Sequence, residues 1–202
     1  MPDVQPNYGD SLASAAGPGQ VVATAGFGPV FTLDGVTPKI APDAFIAPTA
    51  AVIGDVVIGS ETGIWFHCLV RGDLQFIHIG ARTNIQDGTV IHVDSGGYST
   101  TIGDDVTVGH NAVIHACTLK NRAFVGISAT VLDGAVIEEG GMLAAGGLLT
   151  PGKVIGPNEL WAGTPARLLR VMSPEERAKF DRNAEVYREL ARRFRTGLRS
   201  TS

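Results

Sequence analysis

His92, His110 and His115 are the side chains of this sequence whose type and spacing best suit chemistry. Three neutral imidazoles around an open position form a catalytic zinc arrangement. The metal lowers the pKa of its bound water to about 7, which gives hydroxide near neutral pH. The bland alternative is three polar surface histidines. The choice between the two rests on the elements that carry them.

Those elements are written in a six-residue period. Aliphatic residues recur at Ile40, Ile46, Val52, Ile58, Ile64 and Val70, resume at Ile79, Ile85 and Ile91, then at Ile102, Val108 and Ile114, and run on from Val125 to Ile155. A compact residue follows four positions later in most cases, among them Ala44, Val56, Thr62, Cys68, Thr83, Thr89, Ala112, Thr118 and Ala129. A hexapeptide period is the signature of a parallel β-helix, and neither a helical nor a simple two-residue period explains it. Three hexads make one triangular coil, so equivalent positions in successive coils stack about 4.8 Å apart. We number the faces from the hexads opened by Ile79 (first), Ile85 (second) and Ile91 (third).

His92 follows Ile91 and His115 follows Ile114, so the two share one place on the third face, one coil apart. His110 lies two residues after Val108, on the second face near a corner. A cyclic trimer would bring the second face of one chain against the third face of the next. The third ligand would then be His110 of an adjacent subunit. His67 and His78 do not share the stacked position and are read as non-ligands.

The histidines sit within an ordered set of motifs: Arg71-Gly72-Asp73, Asn84-Ile85-Gln86-Asp87-Gly88, Ile91-His92-Val93, Val108-Gly109-His110, Ile114-His115-Ala116-Cys117-Thr118, Leu132-Asp133-Gly134 and Trp161-Ala162-Gly163-Thr164-Pro165-Ala166-Arg167. The set spans residues 30 to 175 and resembles the gamma-class carbonic anhydrases. The resemblance implies a left-handed β-helix, a homotrimer, a zinc ion at each subunit interface (with iron or cobalt as alternatives) and reversible hydration of carbon dioxide to bicarbonate. It assigns His92 and His115 as metal ligands from one chain and His110 from the next. Gln86 would orient the hydroxide, with Asn84 as its polar neighbour. Arg71, Asp73 and Asp87 would be interface charges, with Arg71 of one chain in reach of Asp87 of another. Two positions depart from the most active branch of that family. Leu74 stands where that branch has a glutamate, and the segment 93–101 is short and holds Asp94 as its only acid. Two further functions stay open: a metal-binding trimeric scaffold with little or no activity, and a hexapeptide-repeat acyltransferase.

Composition bounds the rest. At 202 residues the chain is one main domain with appendages, read as an arm and short hairpin over 1–39, a left-handed β-helix over 40–160, and a crossover with an amphipathic helix over 161–202. The fold class is all-β with one C-terminal α-helix. Residues 1–27, rich in Gly, Ala, Ser and Pro, suggest a flexible or surface-wrapping arm. Ser173-Pro174-Glu175-Glu176 reads as a helix start with a capping box, Gly197 as its stop, and Phe180, Tyr187, Leu190, Ala191 and Phe194 as one packing face. The last 42 residues hold ten Lys or Arg against five acids in a chain of net charge −4. This is read as a charged helix face and not as a nucleic-acid site. Two cysteines without a disulfide pattern suit a reducing compartment. With no basic leader and no long apolar run, the expected location is cytoplasmic, with no membrane contact.

Overall fold

The computed structural model describes residues 28–201, and the arm expected over 1–27 lies outside the described residues. The chain forms a left-handed parallel β-helix of about seven turns, followed by a single helix, α1 (Pro174–Gly197). Two- and three-residue strands stack in parallel register on three faces. The third face runs through Ala51–Gly54, Leu69–Gly72, Val90–His92, Val113–His115 and Thr130–Val131. The second runs through Phe45–Ile46, Gly63–Ile64, Asn84–Ile85 and Thr107–Val108. The first runs through Val57–Ile58, His78–Ile79, Thr101–Ile102 and Thr118–Leu119.

The hexad aliphatics point inward. Ile64, Val70, Ile85, Ile91, Val108 and Ile114 are fully buried, as are the compact partners Ala44, Thr62, Thr89 and Ala112. Each fully buried aliphatic side chain contributes about 1.5–3 kcal/mol. The column repeats in every coil, so the solenoid is held along its whole length.

The interruptions of the period fall next to Asp73 and His115. The slip after Val70 is a bulge in the long strand Leu69–Ile79. Gly72 pairs with Gly54 and Ile77 with Val56, so the stretch Asp73–Phe76 is extruded. Leu74 and Phe76 stand exposed on it. A second irregularity falls directly after His115. Ala116 adopts a left-handed backbone, and the interval from inward Ile114 to inward Leu119 is one residue short of six. Cys117, not Thr118, therefore takes the compact inward position expected of Thr118, and Thr118 faces outward, partly exposed.

The segment before the coils closes a tight turn at Asp34–Gly35, with Leu33 and Val36 exchanging two backbone hydrogen bonds. Val30–Phe31 joins the third face as a parallel strand against Val52–Ile53. After the last coil, Ala166–Val171 turns back antiparallel on Glu159–Gly163. α1 starts as its sequence requires: the Ser173 hydroxyl accepts from the Glu176 amide at 3.2 Å, and Pro174 sits in the first turn. The reciprocal half of the expected capping box is not made, because the Glu176 carboxylate pairs with Arg170 instead. Gly197 is the last helical residue, and the chain leaves through an extended Leu198 without a left-handed glycine stop.

α1 lies along the second face. Phe194 and Tyr187 meet Trp65 edge-on at 5.2 and 5.4 Å, and Phe194 meets Phe45 at 6.0 Å. Further along, Phe180 meets Phe124 at 5.3 Å. Arg177, almost wholly buried, donates to the Gly140 carbonyl at 3.0 Å and to Asp181. Asp181 also receives Arg122 of the solenoid at 2.9 Å. No helix among the described residues is long and apolar enough to cross a membrane.

Candidate metal centre

Parallel pairing sets His92 directly beside His115 on the outer side of the third face. Nδ1 of His92 lies 3.3 Å from Nε2 of His115. The other nitrogen of each ring meets a carboxylate. His92 Nε2 is 2.9 Å from Asp73, and His115 Nδ1 bonds Asp133. An ionised carboxylate only accepts, so it draws the ring hydrogen to its own side. The nitrogens that face each other are then two bare lone pairs. Such a contact is repulsive unless a proton or a cation lies between them, and imidazoles oriented by carboxylates are how proteins present metal ligands.

Asp73 comes from the extruded bulge, where Arg71 also bonds it. Burial pushes its carboxyl up, but the His92 hydrogen bond and the Arg71 charge more than offset this and hold it below the usual carboxylate range. Sequence reasoning had assigned Asp133 no role. The signal was its place in the sequence: Asp133 lies eighteen residues after His115, one coil on and one position past the rung equivalent to it.

His110 occupies the corner between the second and third faces. Its Nδ1 is 3.0 Å from Asp87, and its Nε2 is 3.4 Å from the Tyr187 hydroxyl of α1. Asp87 also accepts from the Phe66 amide at 3.2 Å. Gly88 permits this corner, since it has φ +76° and a Cβ there would fall 2.2 Å from the Asn111 side-chain oxygen. Tyr187 is half-buried, and burial together with the Asp87 charge pushes its hydroxyl pKa up. His110 and His115 stand at opposite ends of the third face, five positions apart across the corner at Asn111 and the strand Val113–His115, on the order of 15 Å. Zinc–nitrogen bonds are about 2.0–2.1 Å, so His110 cannot join the pair of its own chain. Among the described residues no three His, Cys, Asp or Glu side chains of one chain are grouped to hold a metal ion.

Asn84 and Gln86 lie on the second face and are almost fully buried. Gln86 Nε2 donates to Asn84 Oδ1 at 3.2 Å, and Asn84 donates to the Thr107 hydroxyl at 2.9 Å and the Val106 carbonyl at 3.3 Å. The Gln86 amide is thus oriented from behind. Arg71 and Asp87 are not brought together within the chain: Arg71 bonds Asp73, and Asp87 bonds His110. His67 sits at another corner and His78 on the first face, away from the pair. Cys68 and Cys117 face the core. Burial pushes the Cys68 thiol up to about 12 and the Cys117 thiol further up. Asp94 caps its own loop by accepting from the Gly96 amide at 2.7 Å.

No family model matches the chain. A carbonic anhydrase of Geobacillus kaustophilus is 43% identical over 166 residues, a match covering 82% of this chain and 91% of that protein. The chain belongs to the gamma-class carbonic anhydrase family. The mitochondrial gamma carbonic anhydrase 2 of Arabidopsis thaliana is 46% identical over 160 residues. That match covers 77% of this chain, and the chain spans only 58% of the plant protein's length. Among solved structures, a hexapeptide transferase family protein from Anaplasma phagocytophilum superposes with a TM-score of 0.78 at 49% identity, covering 81% of this chain and 96% of that one. The relatives named here carry carbonic anhydrase in their names. Leu74, 55% exposed, follows Asp73 on the extruded bulge and adds no second carboxylate there.

Proposed function

We propose that the chain hydrates carbon dioxide reversibly to bicarbonate, as a homotrimer holding zinc, or alternatively iron or cobalt, at each subunit seam. The observation that carries this reading is the facing pair of nitrogens on His92 and His115, 3.3 Å apart, each ring backed by a carboxylate. This donor set suits a borderline-soft divalent ion. His92 and His115 of one chain and His110 of the next would hold it. When bound, the ion supplies the Lewis acidity that lets water lose a proton near neutral pH.

The chain's own groups do the rest. Asp73 and Asp133 fix the rings of the ligand pair. The Gln86 amide orients the attacking oxygen, and Asn84 holds that amide. Because α1 lies on the second face, a neighbour meets that face only at the His110 corner. The contact joins the His92–His115 edge of one chain to the His110 corner of the next. Arg71 and Asp87 stand on the two edges that meet, which supports their pairing across the seam. The same head-to-tail contact, repeated, closes a ring. Leu69, Val90 and Val113, stacked side by side and facing out between those edges, would be covered by it. Hydration releases a proton; Leu74 and the short 93–101 loop hold no glutamate to carry it away, and the Asp94 carboxylate is engaged by the Gly96 amide. Two buried free thiols suit a reducing compartment, and the cytoplasm is the proposed location.

Metal analysis, sedimentation and a hydration assay on His110→Ala test this reading. Metal and trimer should be lost together. A monomer that binds one metal per chain at full affinity would sink it. A transferase is the second reading, from the likeness to the Anaplasma phagocytophilum hexapeptide transferase family protein alone; measured acyl transfer from coenzyme A thioesters by metal-free protein would favour it.

A further inference from the structure

His110 differs from the other two histidines in one respect: both of its ring nitrogens are engaged by its own chain without a second imidazole. Asp87 lies 3.0 Å from Nδ1 and, as a carboxylate, draws the ring hydrogen to that side. Nε2 is then a bare lone pair, which is the electron pair a metal would take. The Tyr187 hydroxyl stands 3.4 Å from it and, among the described residues, is the partner able to donate. We infer that Tyr187 is a latch: a positioning residue whose hydroxyl holds the His110 lone pair until the neighbour's metal replaces it. The inference rests on the three-histidine reading above and adds a role for α1 at that site.

The parts suit a replaceable contact. At 3.4 Å the hydrogen bond is at the long limit and weak. The ring beneath it is not free to leave, because Tyr187 is half-buried and stands edge-on to Trp65 at 5.4 Å and 81°. Asp87 keeps its hold on Nδ1 whether or not Tyr187 is displaced, so the imidazole is released already in the tautomer a metal needs. Loading the site breaks one neutral hydrogen bond, and the freed hydroxyl stays beside the ring it has left. The latch therefore opposes metal binding by the strength of that one bond. It also keeps the lone pair satisfied while the chain is unassembled.

Tyr187→Phe removes the hydroxyl and keeps the ring that packs on Trp65. Zinc affinity of the purified protein, measured by competition with a chelator, should tighten by between about twofold and tenfold, the worth of one neutral hydrogen bond. Zinc added to wild type should also produce a near-ultraviolet tyrosine difference band that Tyr187→Phe lacks. An unchanged or weakened affinity in Tyr187→Phe, or a band that persists in it, overturns the latch. His110→Ala separates the two levels. If it loses zinc while Tyr187→Phe behaves as wild type, the latch alone fails. If wild type binds no zinc, or His110→Ala binds as wild type does, the three-histidine site fails and the latch with it.

Discussion

The second and third faces are built from the same hexads and end differently. On the second face the outward residues are Phe45, Gly63, Trp65, Asn84 and Gln86, and α1 covers them until all are buried. On the third face the outward residues include Leu69, Val90, Val113 and the two stacked histidines, and among the described residues no helix lies over them. One face completes its packing in cis. The other presents a stacked apolar row beside a pair of oriented lone pairs, which a neighbouring copy and a metal would complete on the proposed reading. A row of aliphatics rimmed by charged and polar groups is how proteins mark a contact surface. The lesson is that a solenoid face becomes a site when it is left unfinished next to residues that another copy can complete.

The largest expected effect comes from breaking the bare face. Val90→Asp with Val113→Asp places two carboxylates on adjacent rungs of the apolar row. Burying such charges unpaired costs several kcal/mol each, enough to abolish assembly at ordinary concentrations. Sedimentation should show monomers, metal analysis should show no bound zinc, and far-ultraviolet circular dichroism should be unchanged, because both positions point away from the core. A metal-loaded trimer in this variant would mean the third face is not the seam.

Breaking the covered face should cost the fold and not the assembly surface. Phe194 touches Phe45, Trp65 and Phe66, so Phe194→Ala should destabilise by about 2–4 kcal/mol in urea denaturation, toward the lower end of large-aromatic truncations because the ring is only partly buried. It should also make Asn84 and Gln86 accessible to exchange. Equal stability of variant and wild type would show that α1 contributes little to the second face.

Much of this contrast was legible in the sequence, and the exceptions have physical causes. The hexad aliphatics fall inward because a coil of three hexads leaves no other low-energy place for them. The stacking of His92 on His115 follows from the same count. Cys117 displaced Thr118 from the compact position because the chain turns one residue early at Ala116, and a backbone turn of that kind leaves no mark on an aliphatic period. Glu176 was claimed by Arg170, a partner brought near only by the returning strand Ala166–Val171. The Tyr187–His110 contact could not be read at all. An amphipathic stripe says which side of a helix packs, but not where along a solenoid it docks. That register is set by particular aromatic contacts and by the buried Arg177.

A finer probe of the covered face is pH. Burial pushes Asp181 up, but Arg122 and Arg177 more than offset this and hold its carboxyl below the usual range. A carboxyl depressed in the fold adds stability above its unfolded pKa of about 3.9, and that stability is lost as pH falls through the folded value. Urea stability should therefore drop as pH is lowered below about 4. Asp181→Asn should flatten that part of the profile while costing about 1–3 kcal/mol at pH 7, since it leaves Arg177 buried with a weaker partner. An acid limb of the same steepness in Asp181→Asn would assign the effect to other carboxylates.

The smallest expected effect sits at the junction of the two faces, where a side chain held by the covered face serves the bare one. Gln86 is anchored through Asn84 to Thr107 and Val106, so its amide is a fixed dipole and not a mobile side chain. Gln86→Ala should leave trimer and metal content intact and lower hydration by about tenfold, or about 1.4 kcal/mol of transition-state stabilisation. Asn84→Ala should lower it less, because it loosens the amide without removing it. Wild-type turnover should rise with buffer concentration, since Leu74 and the short 93–101 loop leave no glutamate to act as a proton shuttle. Turnover insensitive to buffer would reveal an acceptor elsewhere at the seam. Loss of metal in Gln86→Ala would make the amide part of the metal's support and not an orienting group, and would move the boundary between the two faces onto the site itself.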